Sequence, residues 1–138
     1  MAEIDAPPLE TLAIVGLGLI GSSIARGARH YGLARHIVAI DRDAGVLERV
    51  RALNLADTVT DDIATGVGGA DLVILCVPVG TVGAVAALMG PHLKAGAIVS
   101  DVGSVKASVL AASASPKALT RSITSASRST ATIVSASP

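Results

Sequence analysis

Gly16-Leu17-Gly18-Leu19-Ile20-Gly21 stands between a short apolar run, Leu12 to Val15, and a segment of helical periodicity. No other feature constrains the fold as much, because each glycine has a mechanical task at a strand-to-helix turn. Gly16 permits the tight turn out of the strand, Gly18 lets backbone approach a pyrophosphate, and Gly21 lets helix and strand pack without a Cβ between them. Leu19 and Ile20 open the helix, where free N–H groups and the positive dipole end hold phosphates without a basic side chain. Asp41 follows Gly21 by twenty residues, at the end of the next apolar run. A carboxylate there accepts from both hydroxyls of an adenosine ribose, so the pattern predicts dinucleotide binding with NAD as cofactor. Arg42 comes next and keeps NADP open, since a guanidinium can meet a 2′-phosphate, whereas the Asp41 charge repels one. The plain alternative is an ordinary turn with Asp41 as a cap.

The rest of the first 110 residues supports that context. Leu12 to Val15, His36 to Ile40, Leu72 to Val77 and Ala97 to Ser100 are continuous apolar runs, the form of strands buried on both faces. Val59 marks a short edge strand. Ile20, Ile24, Ala28 and Tyr31 recur at helical spacing before Gly32, a helix stop. A second helix is expected after Asp43 as cap, with Val46, Leu47, Val50 and Leu53 inward, and a third from about Thr81 to Met89. Strand and helix in alternation predict an α/β fold with a Rossmann-type doubly wound parallel sheet. The expected organisation is an arm over 1–10, the nucleotide-binding domain over 11–112 with an incomplete sheet, and a Ser/Ala/Thr-rich tail over 113–138.

Composition narrows the function. Eleven Lys plus Arg balance eleven Asp plus Glu, and Tyr31 is the sole residue among Phe, Trp and Tyr. Neither nucleic acid nor an anionic membrane is an expected partner of such a chain. The single Cys76 provides no disulfide and no Cys-pair metal site, which fits a reducing cytoplasm. It reads as a small buried hydrophobe. His30, His36 and His92 show no metal or triad spacing, so no metal site is expected. Leu72 to Leu93 lacks a formal charge, but Pro78, Gly80, Gly83, Gly90 and Pro91 divide it into strand, turn and helix rather than a membrane span.

In a doubly wound sheet the ligand crosses the carboxyl ends of the strands. The turns after the third and fourth long runs therefore face the nicotinamide half of the cofactor: Val77-Pro78-Val79-Gly80-Thr81 and Asp101-Val102-Gly103-Ser104-Val105-Lys106. With the glycine turn, with Cys76-Val77-Pro78-Val79 and above all with Asp101 to Lys106, the sequence resembles the prephenate and arogenate (cyclohexadienyl) dehydrogenases of tyrosine biosynthesis over roughly residues 9 to 112. The resemblance implies an NAD(P)-dependent oxidative decarboxylation of prephenate or arogenate. It also implies that Ser104 hydrogen-bonds the reacting hydroxyl and orders a catalytic histidine, with Lys106 a weaker electrostatic candidate.

The departures from that family pattern matter equally. Family members carry the histidine about twenty residues after the serine, then a helical domain with a substrate-binding arginine and a dimer interface. Here no His follows His92, and the corresponding segment reads Ser122-Ile123-Thr124-Ser125-Ala126-Ser127. The isolated chain is thus expected to bind cofactor without turnover, and the family-type homodimer is not expected. All fourteen glycines and all eleven acids lie at or before Gly103, whereas Ala111 to Pro138 holds eight Ser, four Thr and seven Ala. This break suggests a tail read out of frame, and DNA lacking a His-Pro-containing frame downstream would refute that. A native disordered Ser/Ala tail is the alternative. Two other functions stay open: a β-hydroxyacid-type dehydrogenase fragment and a non-catalytic NAD-binding module.

Overall fold

In a computed structural model, residues 7–102 and 132–135 are described. The elements run β1 (Leu9–Val15), α1 (Leu19–His30), β2 (Ala34–Ile40), α2 (Ala44–Ala52), β3 (Thr58–Thr60), α3 (Ile63–Val67), β4 (Leu72–Leu75), α4 (Val82–Met89), β5 (Ile98–Asp101) and β6 (Thr132–Ser135). Short 3-10 turns lie at Val79–Thr81 and Gly90–His92. All neighbouring strands are parallel, in the order β3-β2-β1-β4-β5-β6.

The continuous apolar runs become doubly covered strands because successive side chains point to opposite faces. In β1, Leu12 and Ile14 join Ala25, Ala28 and Val50 beneath α1 and α2. Ala13 and Val15 join Val67, Val82, Ala86 and Met89 beneath α3 and α4. Gly32 ends the first helix at φ 62°, and Asp43 caps α2 by accepting from the Gly45 and Val46 N–H groups, both as expected from sequence.

Four features differ from the sequence expectation or add to it. The inner face of α1 is Gly21, Ala25 and Ala28, while Ile20 and Tyr31 are 54% and 52% exposed. Small residues let the helix axis lie close to the sheet, which turns the larger side chains outward. Leu53 is likewise exposed, at the end of α2. The five-residue α3 is too short to show a helical period. Finally, the sheet does not stop near residue 112: β6 pairs with β5, with Ile133 opposite Val99. The β-branched pair Ile133-Val134, flanked by Thr132, has the composition of a strand.

Strand ends are level. Val15 stands opposite Ile40 and Leu75, and Leu75 opposite Asp101. The residues that follow β1, β2, β4 and β5 therefore share one edge, and the chain reverses direction across the sheet between β1 and β4. No helix among the described residues is long and apolar enough to cross a membrane.

Candidate functional site

The glycine turn is built from the strands beneath it. Gly16 N–H donates to Ile40 O at 2.8 Å, and Cys76 N–H to Val15 O at 2.7 Å. At φ 92° Gly16 is in the left-handed region, and a Cβ there would stand 2.5 Å from the Cys76 carbonyl oxygen. A Cβ on Gly21 would collide with the Gly16 carbonyl. These two glycines are required by the protein's own packing. Gly18 is not, since a Cβ on it would meet nothing within 4 Å. Gly18 is also the N-cap of α1 and supplies no side-chain acceptor to the first turn. The first amides of α1, at Leu19 and Ile20, thus have no side-chain cap at this end of the helix.

A cleft of about 580 Å³ runs along this edge. Gly16, Gly18, Ile20, Asp41, Arg42, Val77 and Pro78 all line it, so the structure brings together seven of the residues picked out by sequence. Leu19 is 87% exposed beside it, and Gly21 is buried under the turn. Asp41 is a fixed acceptor: its Oδ2 takes the Leu17 N–H at 2.9 Å and its Oδ1 the Asp43 N–H at 2.9 Å. Arg42 is exposed at the same rim.

At the other end Val77 is half-buried and Pro78 exposed, followed by Thr81, whose hydroxyl donates to the Pro78 carbonyl at 2.8 Å. Asp101 is 3% exposed at the end of β5 and does not line the cleft, although the next residue, Val102, does. Ser104 and Lys106 lie outside the described residues. Cys76 also faces the cleft, and burial pushes its thiol up to about 11, in keeping with an inert side chain. No histidine lines the cleft: His36 Nε2 is paired with Thr58 Oγ1 at 2.7 Å, and the His30 ring packs edge-on against Tyr31. Among the described residues no cluster of His, Cys, Asp and Glu could hold a metal ion.

Asp61, Ile63 and Val85 complete the cleft and were not picked out by sequence. Asp61 follows the edge strand β3, and Ile63 and Val85 belong to helices packed on the far face. They are brought to the cleft by folding, and nothing in their local sequence marks them. The arrangement offers amides for a phosphate at one point, a carboxylate for a diol at another, and apolar walls for flat rings on either side. It fits an extended dinucleotide.

A parallel sheet of this strand order, with a glycine turn at its switch point and an acid ending the neighbouring strand, defines the class of α/β nucleotide-binding domains. Within that class, the model of the prephenate dehydrogenase nucleotide-binding domain matches residues 24–127. The chain belongs to the prephenate dehydrogenase family. It is 54% identical over 99 residues to a cyclohexadienyl dehydrogenase of Zymomonas mobilis, an alignment covering 72% of this chain and 34% of that protein. It therefore spans about a third of that relative's length. Among solved structures it is similar to Synechocystis arogenate dehydrogenase, with a TM-score of 0.68 and 28% identity over 83% of this chain and 38% of the other. It is also similar to prephenate dehydrogenase from Aquifex aeolicus, solved with hydroxyphenyl propionate and NAD+, with a TM-score of 0.66 and 26% identity over 75% of this chain and 38% of the other.

Proposed function

We propose that this chain is the cofactor-holding part of an NAD-dependent dehydrogenase that oxidatively decarboxylates prephenate or arogenate in cytoplasmic tyrosine biosynthesis. One observation carries the reading: a single cleft joins an α1 N-terminus without a side-chain cap, the open space at Gly18, and the doubly anchored carboxylate of Asp41. In this reading the turn from Gly16 to Gly21, with the Leu19 and Ile20 amides, holds the pyrophosphate. Asp41 accepts from the adenosine ribose hydroxyls, with Arg42 beside it at the rim. Val77 and Pro78 belong to the nicotinamide end, with Asp101 buried behind the cleft next to Val102, which lines it. When bound, NAD supplies the hydride acceptor.

Ser104 is the residue proposed to hydrogen-bond the substrate hydroxyl, with Lys106 adding positive charge nearby. The segment where the family histidine is expected, Ser122 to Ser127, holds no His. The chain alone is therefore proposed to bind NAD and to lack turnover, without the family-type dimer and without a nucleic-acid or membrane partner. Calorimetric titration with NAD and NADP, followed by NADH absorbance with prephenate or arogenate present, tests this. NAD binding without NADH formation is expected. Absence of NAD binding would overturn the cofactor assignment, and NADH formation at an ordinary enzymatic rate would overturn the missing-base argument.

A further inference from the structure

The carboxylate of Asp41 does more in this structure than face the cleft. Leu17, the residue between the first two glycines of the turn, is 2% exposed, and its N–H donates to Asp41 Oδ2 at 2.9 Å. Among the described residues no strand lies beyond the turn to take that amide, so without Asp41 it is left part-buried and poorly placed for water. The other oxygen, Oδ1, accepts the Asp43 N–H, and Asp43 in turn caps α2 through Gly45 and Val46 at 2.8 and 3.1 Å. The backbone of Asp41 is fixed as well, its N–H donating to Thr60 O at 3.2 Å. One side chain thus links the turn above β1 to the start of α2.

We infer that Asp41 is a positioning residue for the phosphate-binding turn, latching Leu17 and so holding Gly18 and the first amides of α1 in place, separately from any contact with ribose. The inference rests on the proposed NAD site and adds a constraint on cofactor choice. The two amide bonds differ in what their loss does. Asp43 N–H is exposed and can turn to water, whereas the Leu17 N–H is shielded. Asparagine at position 41 retains one carbonyl oxygen for Leu17 and removes the negative charge. Alanine removes both. Arg42 lines the same cleft and is exposed. Asp41→Asn therefore removes the charge that repels a 2′-phosphate beside Arg42 while keeping the turn, but Asp41→Ala opens the turn and cannot exchange one cofactor for the other.

The test compares the wild-type chain with Asp41→Asn and Asp41→Ala by two readouts. The first is amide hydrogen exchange at Leu17 and Gly18 without ligand. Wild type and Asp41→Asn should protect Leu17, and Asp41→Ala should lose about tenfold in protection there while β1 keeps its own. The second is titration with NAD, NADP and an NAD analogue whose adenosine ribose lacks both hydroxyls. Asp41→Ala should bind the analogue about tenfold more weakly than wild type. Asp41→Asn should bind it about as wild type does and shift its preference toward NADP. Equal analogue affinity in wild type and Asp41→Ala, or unchanged Leu17 exchange in Asp41→Ala, would overturn the latch. If wild type bound no NAD at all, the exchange readout would still decide the latch, and the failure would belong to the proposed function instead.

Discussion

Two of the three glycines in the turn are required by contacts within the fold and the third is not, a division that only the structure makes visible. Gly16→Ala places a Cβ against the Cys76 carbonyl at a left-handed φ, and Gly21→Ala drives one into Gly16 O. Each should lower stability by about 2 kcal/mol or more, read as a reduced midpoint in urea. Gly18→Ala is different. Its backbone is extended and its surroundings are open, so stability should change by less than about 1 kcal/mol while NAD affinity falls at least about tenfold. Equal losses of stability at all three positions would contradict the division. The sequence shows that three glycines are spaced for a nucleotide turn, but not which of them an internal neighbour forbids to change. For Gly16 that depends on Cys76, sixty residues further on, arriving under the turn through the pairing of β1 with β4, and for Gly21 on the path of the turn back over Gly16 O. Cys76 carries its own prediction. With the thiol pushed up to about 11 by burial, its thiolate is scarce at neutral pH, and alkylation by iodoacetamide should run well below the rate of a free cysteine until the chain is denatured.

At the scale of elements, the amino edge of the sheet is stapled by two aspartates that play no part in the cleft. Asp71 accepts from the Thr11 N–H at 2.9 Å, the Glu10 N–H at 3.1 Å and the Lys94 ammonium, tying the starts of β1 and β4 to the loop before β5. The Lys94 ammonium and the Thr11 N–H hold the Asp71 carboxyl below its ordinary value. At Asp57 burial works the other way, but the Ile37 N–H and the Arg29 guanidinium outweigh it and its carboxyl is lowered too. For a carboxyl depressed by folding, the stabilisation is complete above the unfolded value and is lost as pH falls through the folded one. Stability should hold from neutral pH down to about pH 4 and decline below it. Asp71→Asn should remove about 1 kcal/mol at neutral pH and flatten the acid limb, measured by urea midpoints across pH. An acid limb identical to wild type would show that Asp71 is not a staple. Neither staple was legible beforehand, because the bonded pairs lie twenty and sixty residues apart. The strands were legible for the opposite reason: a doubly covered strand writes its burial into consecutive residues. The period of α1 is legible in Ile20, Ile24, Ala28 and Tyr31, but its contact face is not, because Gly21 and Ala25, which make the contact, weigh little in a periodicity.

For the molecule as a whole, the cleft crosses the point where the sheet changes direction, so its two walls come from different halves of the fold. Asp41, Arg42 and Asp61 belong to the half built on β2 and β3, and Pro78, Thr81 and Val102 to the half built on β4 and β5. The halves meet through β1, which pairs with both β2 and β4. The glycine turn and Asp41 announced this site from sequence because backbone geometry demands particular residue types at set spacing. Asp61, Ile63 and Val85 did not, because an exposed acid and two partly buried apolar residues acquire a common wall only after folding. A ligand that spans both walls stabilises the native state by its own binding free energy and restrains the two halves together. NAD at about one hundred times its dissociation constant should therefore add about 2.7 kcal/mol, a rise in Tm of roughly 10 °C for a domain of this size. Amide exchange should slow on both sides of β1, near Asp61 and near Thr81 alike. ADP-ribose, which lacks the nicotinamide, should reproduce the protection near Asp61 and leave Thr81 less protected. Protection confined to the β2 and β3 half even with intact NAD would mean that the Val77 to Thr81 wall does not meet the cofactor, and the assignment of the nicotinamide end would fail while that of the phosphate turn stood.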